Sequence, residues 1–335
     1  MKVRAFAAHE AGAVLQPFQY EAGPLGRLEV DVRVTHCGVC HSDLGLIDDE
    51  FGQARYPVVA GHEAVGVVEA VGADVDPADL PVGTRVGVGA IAGSCFRCEW
   101  CLRGQHQFCP ERDDTVLRGS RGGFAEYVRA SDWRHVYPIP DAIGSAEAAP
   151  MLCAGTTVFA QLVRHKLSPT DRVAVVGVGG LGHLALQFAA AWGCHVTAIS
   201  SSRAKEDDAS RFGAAEVIVG GAFDGHEQEF DFILSTVSAD LPWDEYLGLL
   251  KPAGVLSVVG VPPGKIEVGA MALLPQAKTL VGGVPGSVDD TRMMLAFAAR
   301  HGVRPVVETF AMAESAAALD RVRKGSARYR VVLGM

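Results

Sequence analysis

The sequence predicts an α/β protein of two domains, one β-rich and one built on a doubly wound parallel sheet. Three observations carry this. The first 140 or so residues hold short apolar runs cut by Gly, Pro and Asp. From about residue 145 onward, strand-like and helix-like segments alternate. A glycine-rich turn stands between the first such strand and its helix. The length of 335 residues suits about two domains.

In the β-rich part, LEVDVRVTHC, HEAVGVVEAV and RVGVGAIAG read as strands. Residues 145–165 carry apolar residues at helical spacing, with Ser145 as the expected N-cap. DRVAVVG then reads as a buried strand and GLGHLALQFAAAWG as a helix ended by Gly193. HVTAIS, EVIV, FDFILSTV, GVLSVVG and TLVGG follow as short strands with helical segments among them. Beyond Gly286 the pattern predicts a helix near 288–300, a short strand, a helix near 313–323, and a last strand RYRVVL returning to the first domain. The expected division is 1–150 with 287–335, and 151–286.

Composition narrows the function classes. Thirty basic against 39 acidic residues leave a net charge of −9, which offers nothing to nucleic acid or an anionic membrane. No stretch reads as the roughly 20 apolar residues of a membrane helix. MKVRAFAAHEAG turns polar too early for a secretory signal, so a cytoplasmic protein is expected. In a reducing compartment the eight cysteines favour metal over disulfides.

Cys95, Cys98, Cys101 and Cys109 follow the spacing C-x-x-C-x-x-C with a fourth Cys after seven residues. Four thiolates close a tetrahedral zinc site of the structural kind. A rival is an iron–sulfur cluster; the plainer readings are unrelated cysteines or a redox pair. The loop 102–107, rich in Arg, Gly and Gln, is not expected to pack a core, so a metal would order it. Cys40 in THCGVCHSD, His62 in AGHEAVG and Cys153 in PMLCAGTT suit a second site of a different type. Two thiolates and an imidazole leave one position open for water or substrate. Singly each is weak, since a lone buried Cys or His is usually packing.

Gly177-Val178-Gly179-Gly180-Leu181-Gly182 follows the strand AVV and opens a helix, the context a dinucleotide pyrophosphate requires. An NAD site wants an acidic residue at the end of the next strand. Here that strand runs into Ser200, Ser201, Ser202, Arg203 and Lys205, hydroxyls and cations suited to a 2′-phosphate. NADP(H) is therefore the expected cofactor. Glu206, Asp207 and Asp208 come later and are expected to face solvent.

Taken together and in order, THCGVCHSD, GHEAVGVVEAVGADV and the four-cysteine lobe resemble the zinc alcohol dehydrogenases of the medium-chain dehydrogenase/reductase superfamily. SCFRCEWC, RGGFAEYV, MLCAGTTVF, ISSS and ARYRVVL resemble the cinnamyl alcohol dehydrogenase subgroup, and within it bacterial NADPH-dependent broad-range aldehyde reductases. The resemblance implies a GroES-like catalytic domain, a Rossmann cofactor domain, two zinc ions per chain and a homodimer through the cofactor-domain strands. It implies catalytic zinc on Cys40, His62 and Cys153, with Glu63 able to exchange on the metal. Asp43 would accept a hydrogen bond from His62, Ser42 would pass a proton to solvent, and His41 would lie near the pyrophosphate. Thr157, Thr236, Gly260 and Gly283-Val284-Pro285 would surround the nicotinamide and ribose. Long-studied members carry a relay histidine three residues after the Ser, where this chain has Gly45. The implied reaction interconverts aldehydes and primary alcohols. Its alternatives are a zinc-independent quinone or enone reductase of the same fold and a non-catalytic zinc- or nucleotide-binding relative.

Overall fold

Val30–Val39 is the strand around which the first unit is built, because Val30, Val32, Val34, Cys37 and Val39 are all buried in one apolar core. In the computed structural model, which describes residues 1–116 and 121–335, it pairs antiparallel with Ala64–Val71. It also pairs antiparallel with Tyr127–Ala130 along Val30–Arg33, and with Arg330–Gly334 along His36–Val39. Arg85–Val88 and Val136–Pro138 extend the sheet beyond Ala64–Val71, and Val307–Ala311 lies parallel to Arg330–Gly334. The last strand of the chain is thereby built into the same sheet as Val30–Val39 and Ala64–Val71.

RVGVGAIAG is not one strand. Arg85–Val88 belongs to this sheet, whereas Ile91–Gly93 pairs with Asp113–Asp114 in a separate two-stranded sheet. The apolar run is continuous in sequence, but the chain changes partner between Val88 and Ile91.

The second sheet is wholly parallel. Its spatial order is Glu216–Val219, His195–Ser200, Arg172–Val176, Phe230–Ser235, Leu250–Val258, Thr279–Gly282. Counted along the chain this is 3-2-1-4-5-6, the doubly wound order with its switch point beside the first strand. The helix Gly182–Trp192 closes on Gly193 as the spacing predicts. The chain divides into two compact units, Met1–Thr156 with Gly286–Arg300 and Pro305–Met335, and Thr157–Pro285 with His301–Arg304.

Three local expectations change. Gly144, not Ser145, is the N-cap of Ser145–Pro150, because the Glu147 carboxylate accepts from the Gly144 N–H at 3.2 Å. Asp208 does not face solvent. It is buried, and its Oδ1 accepts from Arg211 Nη2 at 2.7 Å within the same helix. Finally, the helical run Ser145–Arg164 is 20 residues long with a mean hydropathy of 1.2 in its most apolar window, enough to cross a membrane by length and composition alone. Most of that window, 78%, is buried inside the protein, which makes it a core helix.

Candidate active site and metal centres

The segment Cys40–Asp43 places its groups by helix capping. Cys40 is the N-cap of His41–Ile47, and Asp43 at the third helical position accepts from the Cys40 N–H at 2.9 Å. Asp43 is completely buried, and its other oxygen accepts twice more, from the Gly61 N–H and from His62 Nδ1, both at 2.9 Å. One carboxylate thus ties the Cys40 loop to the Gly61-His62-Glu63 turn. It also settles the tautomer: with Nδ1–H donated to Asp43, His62 Nε2 is the nitrogen available as a ligand.

Cys153 arrives from a distant part of the chain. Met151–Gly155 is a turn of π-helix between Ser145–Pro150 and Thr156–Arg164. Pro150 supplies no backbone N–H, and such single-turn insertions recur at functional sites. The candidate donor atoms of Cys40, His62, Glu63 and Cys153 all lie within 4.8 Å of one another. The electrostatics match a site built for a cation. The Cys40 thiol is held well below the usual range, first by a hydrogen bond from Cys153, then by His62 and Arg330, against its burial. Cys153 is correspondingly pushed up by Cys40 and by burial. Sulfur and imidazole donors of this kind fit zinc.

Glu63 is fully buried and its carboxyl is pushed up to about 7 by burial, with the Arg330 guanidinium acting the other way. Arg330 Nη2 donates to Glu63 Oε1, while Glu63 Oε2 has no hydrogen-bond partner. A Cβ on Gly38 would lie 1.9 Å from that unpaired oxygen, so only glycine admits the carboxylate there. Sequence alone gives neither Gly38 nor Arg330 a role. The signal for Arg330 was a charged residue inside the apolar strand ARYRVVL.

Ser42 and His41 are exposed at the start of their helix, and Ser42 Oγ lies 3.8 Å from the Cys40 sulfur. Gly45 is buried in the same helix, where a side chain would meet the ring of Phe51 at 2.8 Å. Phe51 is exposed, so a histidine at 45 would be admitted only by a shift of that ring.

In the lobe, the four cysteine sulfurs also lie within 4.8 Å of one another, none in a disulfide. The Cys95 and Cys101 sulfurs are 4.0 Å apart. Four sulfurs at about 2.3 Å from a tetrahedral zinc stand about 3.8 Å apart, whereas a disulfide needs about 2.05 Å. Backbone N–H groups of Cys95 and Cys98 donate to the sulfurs of Cys109 and Cys95 at 3.4 and 3.3 Å. The N–H of Arg97 chiefly, then the N–H of Cys98 and the neighbouring Cys109 and Cys98 thiols, lower the Cys95 thiol to about 7 against its burial. The loop is better packed than its composition suggests. His106 and Gln107 are buried, and His106 lies against Phe96 with ring centroids 4.7 Å apart. Cys95→Ser or Cys109→Ser is still expected to lower thermal stability and soluble yield, because a metal held there would close what the loop alone would not. Wild-type melting and activity in either variant would overturn this role.

A third grouping, Glu216, His226 and Glu229, is an ion cluster. His226 Nδ1 donates to Glu229 at 2.6 Å, and Arg172 engages the same carboxylate. Cys37 and Cys194 belong to none of these groupings.

In the second unit the glycine-rich turn joins Arg172–Val176 to Gly182–Trp192. Leu181 precedes that helix, and a Cβ on Gly182 would sit 1.8 Å from the Gly177 carbonyl oxygen, so strand and helix could not approach with any other residue there. Thr236 Oγ1 donates to the carbonyls of Val176 and Gly177 at 2.8 and 3.3 Å, bracing the turn from below. Gly260 packs on the Val237 backbone. Ser200 ends its strand buried, donating to the Ser202 carbonyl at 2.9 Å. Ser201, Ser202 and Arg203 are exposed, and Lys205 is half-buried. Arg203 and Glu206 stand 3.9 Å apart, both solvated, a weak pairing that leaves the guanidinium accessible.

Residues 26–141 match the family model described as an alcohol dehydrogenase GroES-like domain, and residues 180–300 that of a zinc-binding dehydrogenase. An aldehyde reductase of Synechocystis sp. is 42% identical over 99% of this chain and 98% of its own length. A cinnamyl alcohol dehydrogenase structure from Sorghum bicolor superposes with a TM-score of 0.94 at 37% identity, covering 100% of this chain and 98% of that one. One from Helicobacter pylori, complexed with NADP(H), gives 0.91 at 27% identity, with 100% and 98% coverage.

Proposed function

The chain belongs to the zinc-type alcohol dehydrogenase family of medium-chain dehydrogenases, and from that premise we propose that it reduces aldehydes to primary alcohols with NADP(H). The observation that carries the proposal is the triple acceptor role of buried Asp43, which spends one carboxylate on aiming His62 and fixing the Cys40 loop. Orienting a buried imidazole in this way suits an open metal site.

Cys40, His62 and Cys153 would hold the catalytic zinc, and Cys95, Cys98, Cys101 and Cys109 a structural one. The bound zinc would polarise the carbonyl, and the reduced nicotinamide would supply hydride. Glu63, paired with Arg330, stands ready beside the ligands as an exchangeable carboxylate. Ser42, exposed and next to the Cys40 sulfur, holds the hydroxyl that relays a proton to the nascent alcohol oxygen from solvent. Because Gly45 offers no base, that proton route runs by water or by the cofactor ribose. In the second unit, the backbone of Gly177–Gly182 receives the pyrophosphate, and Ser200, Ser201, Ser202, Arg203 and Lys205 the 2′-phosphate. The test is stopped-flow NADPH oxidation with a panel of aliphatic and aromatic aldehydes. Turnover with aldehydes supports the reading; none with any aldehyde, but turnover with quinones or enones, replaces it.

The proposal includes a homodimer. Among the described residues Thr279–Gly282 is hydrogen-bonded on one side only, an open edge, and Met271 and Leu274, a few residues before it in the chain, are exposed. Met271→Glu with Leu274→Glu is expected to convert a dimer into folded monomers in sedimentation velocity. A monomeric wild type, or a variant that remains dimeric, contradicts this interface.

A further inference from the structure

Gln161 is a completely buried amide on the helix Thr156–Arg164. Its Nε2 donates to the carbonyls of Thr157 and Val284 at 3.0 and 3.2 Å, and its Oε1 accepts from Ser257 Oγ at 3.2 Å. Two of these partners lie 96 and 123 residues away. Ser257 is next to the last residue of Leu250–Val258, and Val284 follows the end of Thr279–Gly282. Both stand at the carboxyl edge of the parallel sheet, where open α/β sheets bind their ligands. A Cβ on Gly283 would lie 2.8 Å from both Cδ and Oε1 of Gln161, so the glutamine fills the space a side chain at 283 would need.

The sheet order says which half of a dinucleotide this edge faces. The pyrophosphate turn follows Arg172–Val176, and the ribose-discriminating residues follow its neighbour His195–Ser200 on one side. The other end of the ligand therefore runs toward Phe230–Ser235, Leu250–Val258 and Thr279–Gly282. We propose that Gln161 is a positioning residue that fixes the backbone of Gly283-Val284-Pro285 and thereby sets the affinity for the nicotinamide half of the cofactor. The inference rests on the reading of the second unit as the dinucleotide-binding unit.

The experiment compares NADPH with 2′-phospho-ADP-ribose, the fragment lacking nicotinamide, by calorimetry on the full-length protein, with NADH and ADP-ribose as a parallel pair. Gln161→Leu removes both donated bonds and strands the Ser257 hydroxyl. It is expected to weaken the dinucleotide about tenfold while leaving the fragment within about twofold, since the bonds lost hold only the segment that faces the nicotinamide half. Gln161→Met, closer in length, reads the same ratio should the leucine variant fold poorly. An unchanged ratio of the two affinities, whether both hold or both fall, overturns the positioning role. A wild type that binds neither dinucleotide overturns the proposed function instead, so the two failures are distinguishable.

Discussion

Replacing Cys153 by alanine is expected to leave one zinc per chain and to cut aldehyde reduction by a thousandfold or more. Cys153 is one of three candidate ligands, and its turn of π-helix holds it beside Cys40 without contributing to the sheet that builds the unit. Lewis-acid polarisation is worth several kcal/mol, about a thousandfold in rate, and it is lost with the metal. The side chain is small and partly exposed, so the melting temperature should move little. Asp43→Ala provides the contrast. It orphans two backbone N–H groups and the His62 Nδ1–H, each costing about 1–3 kcal/mol when buried, so stability and metal affinity should fall together. Elemental analysis with thermal unfolding separates the two. A Cys153→Ala protein that keeps both zincs, or more than a tenth of its activity, contradicts the ligand assignment.

The second large effect concerns cofactor choice. Ser201, Ser202 and Arg203 are exposed just past the buried strand end at Ser200, with no carboxylate among them. Charge-assisted hydrogen bonds to a phosphate are worth about 1.5–3 kcal/mol each. Losing one weakens NADP(H) by roughly one to two powers of ten, while NAD(H), lacking the phosphate, is hardly affected. Arg203→Ala with Lys205→Ala should therefore narrow the preference for NADPH. Ser201→Asp should reverse it, by repelling the phosphate and offering the ribose hydroxyl an acceptor. The measurement is kcat/KM for both cofactors with one fixed aldehyde. A wild type that prefers NADH, or a double variant that loses both cofactors equally, removes this loop from the phosphate site.

The fold class was legible because alternation of strand and helix after residue 145 and the glycine turn are local patterns. So was the cysteine spacing, which brings four sulfurs together within one loop. What escaped were partners far apart in sequence. Arg330 reads as a stray charge in an apolar strand until Glu63, 267 residues away, is seen beside it. Gly38 carries no local signal, and its role shows only where the Glu63 carboxylate occupies the space of its missing side chain. Gln161 sits in an apolar helix and gives no local sign of its bonds to Ser257 and Val284. Boundaries failed where two chemistries compete over one or two residues. Ser145 is a good cap by type, but Glu147 caps the preceding residue instead. RVGVGAIAG is uniformly apolar, and apolarity alone does not say that its two halves join different sheets.

On this proposal the chain carries two distinct zinc sites, one open on Cys40, His62 and Cys153 and one closed on the four lobe cysteines. Elemental analysis of gently purified wild-type protein tests it most directly. Two zincs per chain and no iron is the expected result; one zinc, none, or iron in place of zinc would contradict the account.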